Sequence, residues 1–472
     1  MTAQTILPAN TLSGGYNVAN SLRFNDGSSD FLSKTFSSAG NQQKMTISFW
    51  IKRSDLSGTK EVISQGSGSA CHINFQASGT LEMNLRNSVD GGSNVFLITN
   101  RLFRDVSAWY HIVLALDTTQ GTASNRAKLY VNGVQETSFG TENYPSQNGN
   151  LFFNENSAMQ IGEDTGGSNY NYDGYMAEFV FINAEQLAPT SFGEFDEDSP
   201  TIWKPIDVSG LTFGTNGFYL EFKQSGTSQN SSGLGADTSG QDNHFAVNNL
   251  TAGDQSTDTC TNNFCTLNPL YNVDGSYTLS EGNTEFLGTG GNDHTLGTLG
   301  VQGSGKWYFE AEFDTNSAAC YAGFADSDLA NNLATDAAGV TVFIGMYRDD
   351  YVMQIGGNND GAYTNVSAGD IFGFAMNLDA DSGSRTVIIQ KNGSTIDTVT
   401  IPTANEDKIF LPIVGDTSAS DGKLKMNFGG TPNPTPSSAV SDANGFGAFE
   451  YSPTIGGVAY LALCTKNLGS NG

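Results

Sequence analysis

An all-β chain is the reading the composition favours, and three observations carry it. Glycine is abundant, 56 of 472 residues, and it punctuates runs rich in Thr, Val, Ile, Phe and Tyr, the residue types that fit a pleated, half-buried surface. Those runs are of strand length, with apolar and polar residues in alternation. The Asn132-Gly133 pair follows KLYV and is a strong hairpin signal, because both central residues of a type I′ turn need positive φ. Two antiparallel β-sandwiches joined by an ordered strap are therefore expected, each with length enough to bury its own core.

The boundaries follow from where the periodicity starts and stops. A first block over 21–191 contains MTISFWIKR (45–53), LEMNL (81–85), WYHIVLALD (109–117), AKLYVNG (127–133), MQIGE (159–163) and MAEFVFIN (176–183). A second block over 271–430 contains GKWYFEAEF (305–313), CYAGFAD (320–326), TVFIGMYRDD (341–350), GDIFGFAMNLDADSGSRTVIIQKNG (369–393) and KIFLPIVG (408–415). Between them, 192–270 is rich in Gly, Ser, Thr, Asn and Asp, yet Trp203, Phe213, Phe218, Tyr219, Phe222, Phe245 and Phe264 recur through it. Buried aromatics contribute large apolar area, so this stretch reads as a strap packed on both neighbours. Residues 1–20 are expected as an arm suited to docking, and 431–472 as a Pro-rich spacer, TPNPTPSS, followed by a small C-terminal segment.

Charge and cysteine usage narrow the function classes. With 21 Lys and Arg against 49 Asp and Glu, a net charge of −28, no basic cluster exists for a nucleic-acid backbone to meet. No run of 18 apolar residues appears, and the N-terminus lacks the pattern of a signal peptide, so no membrane partner is expected. Five cysteines, at 71, 260, 265, 320 and 464, lack zinc-type spacing and fit a chain made in a reducing cytosol; in an oxidising setting Cys260 and Cys265 are the pair to consider.

Catalytic patterns fare poorly. Glu194-Phe195-Asp196-Glu197-Asp198 places carboxylates close together, but Ser199 and Pro200 follow, and proline is ill suited to a central strand. A solvated acidic turn is expected there, without chemistry. Glu310, Glu312 and Asp314 alternate with Phe309, Ala311 and Phe313, the pattern of a strand with one wet face. The four histidines, 72, 111, 244 and 294, lie far apart in sequence, and no Gly-x-Ser-x-Gly surrounds a nucleophile. No phosphate-binding loop opens a helix. The chain is therefore expected not to be an enzyme.

The strand order of the first block, SFWIKR, WYHIVLALD, KLYVNG, IGE and YDGYMAEFVFIN, resembles the laminin-G-like, concanavalin-like lectin sandwich. That of the second block, above all GDIFGFAMNLD followed by a short polar loop and VIIQKNG, resembles the SPRY sandwich. The phrases GTNGFYLEF and DTSGQDNHF, with Cys-Thr-x-Asn occurring both in NNFCTLNPL and in CTKNL, resemble large virion proteins of tailed phages that join these two sandwiches. The resemblance implies a virion component assembled in the host cytoplasm, homo-oligomeric, touching other virion proteins, and binding a host-surface glycan or receptor as a tail fibre, spike or similar adhesin. A structural virion role, in the head decoration or tail, is the alternative it implies, and a glycan hydrolase a weaker one. No cofactor is expected. Lectin-like domains often hold Ca²⁺ through oxygen ligands, which directs attention to Asp379-Ala380-Asp381-Ser382-Gly383, Glu163-Asp164 and Asp173; a plain acidic hairpin is the favoured reading of each, since the loop lacks the ligand order of an EF-hand. No metal ligand is assigned.

Two polar loops carry aromatic rings of the kind that stack on sugars. The first, GGSNYNYDGY (166–175), supplies Tyr170, Tyr172 and Tyr175. The second, MYRDDYVMQIGGNNDGAY (346–363), supplies Arg348, Tyr351 and Tyr363, and in SPRY-like modules the loops at one end of the sandwich are the usual binding face. These six residues are the expected ligand contacts.

Overall fold

A computed structural model describes residues 15–66, 68, 70–167, 170–271, 277–289, 293–314, 320–327, 342–347, 351–354, 358–362, 366–416 and 422–470. Contacts divide them into two compact units, 15–261 and 262–470. Both are all-β, as the composition leads one to expect.

In the first unit two antiparallel sheets enclose one core. One sheet runs, edge to edge, Val134–Gln135, Ala127–Val131, Tyr110–Asp117, Lys44–Arg53, Gly174–Asn183, Ser21–Phe24 and Gln255–Ser256. The other runs Phe139–Glu142, Phe96–Leu102, Thr80–Leu85, Cys71–Phe75, Lys60–Gln65, Ala158–Ile161, Phe31–Thr35 and Ala246–Asn248. Alternation decides which side chains meet between the sheets: Ile112 and Leu114 of one sheet join Ile63, Ile73 and Met83 of the other in a single buried cluster. The expected hairpin is present, with Asn132 at φ 47° and Gly133 at φ 77° closing Val131 onto Val134.

The stretch read as a strap contributes strands and core to this first unit up to residue 261. Phe218–Leu220 pairs with Gly174–Asn183, Ala246–Asn248 with Phe31–Thr35, and Gln255–Ser256 with Ser21–Phe24. Phe218 stacks on Phe181 with ring centroids 5.4 Å apart. Phe192, Val208, Phe213 and Tyr219 cover the outer side of the first sheet at Val113, Val180 and Ile182. That second covering explains why Lys44–Arg53 and Gly174–Asn183 are buried along almost their whole length rather than on alternate residues.

The acidic run 194–198 corrects the sequence reading. It forms a short hairpin, Gly193–Phe195 against Trp203–Pro205, and Asp196 is buried rather than solvated. Its carboxylate accepts from the backbone N–H groups of Asp198 (3.0 Å) and Ser199 (2.9 Å) and from Lys204 Nζ (3.2 Å). Glu194 and Glu197 remain exposed.

The second unit again has two sheets. One orders Tyr277–Ser280, Glu285–Gly288, Lys423–Asn427, Lys306–Phe313, Asp370–Asn377, Thr386–Lys391 and Ser394–Thr400, with Leu461–Ala462 pairing parallel to Lys306–Phe313. The other orders Asp293–Leu296, Phe410–Asp416, Cys320–Asp326, Phe343–Tyr347, Tyr351–Gln354 and Asn358–Ala362. Phe309, Phe324, Phe374 and Phe428 pack between them. The C-terminal segment, expected as a separate small piece, is built into this unit: Phe449, Tyr460 and Ala462 pack with Tyr308 and Phe264. The two Cys-Thr-x-Asn phrases pair with each other, Cys265 N donating to Leu463 O and Thr465 N to Asn263 O, each at 2.9 Å.

Glu310 is a further correction, since the alternation placed it on a wet face. It is buried, and it accepts from Tyr308 Oη (3.0 Å), Asn427 Nδ2 (3.0 Å), Glu450 N (2.9 Å) and Tyr451 N (2.8 Å). The C-terminal segment lies over that face and removes it from water. Glu312 and Asp314 pair with Lys425, at 3.2 and 2.9 Å.

Candidate functional site

Three neighbouring strands of the first unit, Lys60–Gln65, Cys71–Phe75 and Thr80–Leu85, carry a polar row on their outer face. Register sets Glu61 opposite Asn74 and Asn74 opposite Glu82. A register shift between Glu61 and Ile63 lets Val62 and Ile63 both enter the core while Glu61 stays in the outer row, the usual effect of a bulge on side-chain aim. Period-two alternation then puts His72 on the same face as Asn74, and Ile73 and Met83 on the core side.

The loop leading to Tyr170 raises a wall along this row. Glu61 N donates to Tyr170 O at 3.0 Å, Ser64 Oγ donates to Glu163 O at 2.9 Å, and Thr165 N donates to Ser64 Oγ at 2.9 Å. The resulting cleft has a volume of about 370 Å³ and is lined by Glu61, His72, Asn74, Glu82, Asp164 and Tyr170, among others. Such a volume lies in the range of small-ligand sites.

Its electrostatics are acidic. Glu61 is 1% exposed, and its Oε1 has no hydrogen-bond partner. Burial, followed by the nearby Asp164 charge, pushes the Glu61 carboxyl well above its ordinary value. Asn74 Nδ2 is 3.5 Å from Glu61 Oε2, while Gln76 Nε2 donates to Asn74 Oδ1 at 2.7 Å. His72 Nε2 lies 3.2 Å from Glu82 Oε1. Asp164 Oδ1 accepts from Gly166 N at 2.7 Å. The Tyr170 ring is 44% exposed at the rim. The cleft thus offers carboxyl acceptors, amides and an aromatic face, the functional groups that hydroxyl-rich ligands require.

The expected contact residues divide. Tyr170 lines the cleft. Tyr172 and Tyr175 do not, and this corrects their reading as exposed rings: both are fully buried. The chain returns to the sheet at Gly174, so Tyr172 turns inward to pack edge-on to Phe24, centroids 6.1 Å apart, and its hydroxyl donates to Lys52 O at 2.9 Å. Tyr175 lies near Trp109, centroids 6.4 Å apart, with Lys52 Nζ 5.6 Å from its ring. Arg348 and Tyr363 lie outside the described residues, and Tyr351 is placed by its backbone alone, at the start of Tyr351–Gln354. Glu61, His72, Asn74 and Glu82 escaped the sequence reading. Their signal was present in KEVISQ, CHINF and TLEMNL, three strand-length runs whose outward positions are polar.

Other clusters have structural explanations. Ser48 Oγ is 2.9 Å from His111 Nε2, but Trp203 Nε1 donates to His111 Nδ1 at 2.9 Å, and burial pushes His111 down to about 3. Neutral His111 therefore carries its proton on Nε2 and donates to Ser48, the opposite of what activating a serine requires. Asp379 accepts from Gly305 N (2.6 Å) and Lys306 Nζ (2.5 Å). Asp173 Oδ2 lies 3.5 Å from Asp26 N, while Lys60 pairs with Asp26 and, at 2.6 Å, with Asp55. Among the described residues no group of three or more His, Cys, Asp or Glu is arranged to hold a metal ion, and the five cysteines are free thiols.

The fold of the first unit, with a cleft across one sheet, is that of a lectin-like sandwich. Residues 25–188 match the Laminin_G_3 family model, described as the concanavalin A-like lectin/glucanases superfamily. Among solved structures, domains LG4-5 of the mouse laminin alpha1 chain are 12% identical, with 90% of this chain and 92% of that chain covered and a TM-score of 0.28. The SPRY domain of human HERC1 is 16% identical over 34% of this chain and 96% of that one, with a TM-score of 0.28. A putative carbohydrate binding protein from Bacteroides ovatus is 13% identical over 50% of this chain and 60% of that one, with a TM-score of 0.32. No curated protein matches the chain.

Proposed function

We propose that the protein is a glycan-binding adhesin whose ligand sits in the cleft of the first unit, with the rim ring of Tyr170 against a sugar face and the Glu61–Asn74–Glu82 row hydrogen-bonding its hydroxyls. The observation that carries this reading is Glu61, which lines a cleft with an exposed aromatic rim on a lectin-like sandwich and keeps one buried carboxyl oxygen, Oε1, without a partner. A buried polar atom left unpaired is costly, and a ligand that pairs it recovers that cost. Binding rather than catalysis is the role proposed, and the resemblance of the strap to tailed-phage virion proteins supports placement on a virion surface, where repeated weak sites add up through multivalency.

Glycan-array binding by the purified protein, followed by titration of the best ligand against Asn74→Ala and Tyr170→Ala, tests the reading. Each variant should weaken binding about tenfold or more, the scale of one good contact, in protein that circular dichroism shows to be folded. Undiminished binding in both, or release of reducing sugar from the ligand, overturns it. Antibody labelling of intact particles tests the virion placement, and unlabelled particles refute it.

A further inference from the structure

Among the described residues the lining of the cleft includes the carboxyls of Glu61, Glu82 and Asp164 and no lysine or arginine. His72, also in the lining, lies against Glu82 at 3.2 Å. A ligand carboxylate entering here meets like charges without a countercharge, whereas an ammonium brings three donors and a positive charge to a site of acceptors. Glu61 adds a second, independent pointer: it lines the cleft, and its buried Oε1 is unpartnered.

We propose that the cleft selects a sugar bearing a free amino group and rejects sugars bearing carboxylates. This rests on the glycan-binding reading above and names the ligand class. Asp164 and Glu82 supply the negative field, Tyr170 the apolar face, and Glu61 an unpaired acceptor. Discrimination here depends as much on repulsion of the wrong ligand as on attraction of the right one.

The test uses three oligosaccharides of equal length: a glucosamine tetramer, its N-acetylated neutral counterpart and a galacturonate tetramer. Calorimetric titration at low and moderate salt should rank them in that order. About tenfold or more should separate the amine from the neutral sugar, the scale of one charge-assisted hydrogen bond. Glu61→Gln and Asp164→Asn should each lower the amine preference, the latter while retaining the acceptor for Gly166 N. Because the whole protein is acidic, a preference that survives in both variants reflects its overall charge and overturns the proposal. Equal binding of all three sugars also overturns it while leaving glycan binding standing. Failure of all three to bind the folded protein defeats the binding reading itself and the inference with it.

Discussion

Trp203 donates its indole N–H to Nδ1 of His111 at 2.9 Å, and the two rings stack with centroids 6.0 Å apart. A residue of the expected strap thereby fixes the tautomer of a histidine in the middle of the sheet it covers. Replacing Trp203 with Phe leaves Nδ1 buried and unpaired, which should cost about 1 to 3 kcal/mol. It should also free His111 to exchange tautomers, visible in its ring nitrogen shifts by NMR. Ser48→Ala should leave any measured activity of the protein unchanged; loss of an activity in that variant, with the fold intact, contradicts a purely structural Ser48–His111 pair.

Glu178 makes stability fall as pH rises. It is buried at a bulge of Gly174–Asn183, with φ 50°, and accepts from Tyr219 Oη. Burial raises its carboxyl to about 7, against the lowering effect of the Tyr219 bond. An acid raised on folding contributes stability that is fully present below its ordinary value of 4.5 and is lost as pH rises through about 7. The size is about 2 to 4 kcal/mol. Chemical denaturation between pH 4 and 8 should show this slope in the wild type and a flatter profile in Glu178→Gln. Equal slopes refute the assignment to Glu178.

Gly133→Ala should destabilise the first unit by about 1 to 3 kcal/mol. At φ 77° a side chain is strained, and a Cβ built there would meet Trp203 Cε3 at 2.3 Å. Thermal melting checks the sign: a neutral or stabilising result means that neither the turn nor the indole contact constrains this position.

Glu310→Ala removes the acceptor for four hydrogen bonds, two of them from the C-terminal segment of the second unit. Leaving buried donors unpaired costs about 2 to 4 kcal/mol overall. Amide exchange at Glu450 and Tyr451 should accelerate ahead of the sheets. Protection retained at both amides contradicts the role given to this carboxylate.

The long central strands of the sheets were legible, because WYHIVLALD and AKLYVNG state their period plainly and Asn132-Gly133 marks a tight turn. What the pattern concealed has physical causes. Trp203–Pro205 and Phe218–Leu220 are three residues long, too short for a period to show, and exist because a sheet edge or face was already there to receive them. Tyr172 and Tyr175 sit in a Gly- and Asn-rich segment that looks like an exposed loop, yet the strand beginning at Gly174 draws both inside. Burial of Glu310 depends on a segment about 140 residues away, which local alternation cannot report. The cleft row Glu61–Asn74–Glu82 required register across three strands, and no single stretch of sequence contains it.

The pairing of the two Cys-Thr-x-Asn phrases has a mechanical consequence. Antiparallel bonds join 263 to 465 and 265 to 463, and Lys466 N adds a bond to Asn262 Oδ1 at 3.2 Å. The chain therefore enters and leaves this part of the second unit at one spot. Tension applied between residues 262 and 466 loads these bonds one after another, as a zip opens from its end. The pair should rupture at low force, before the long strands of the unit share any load.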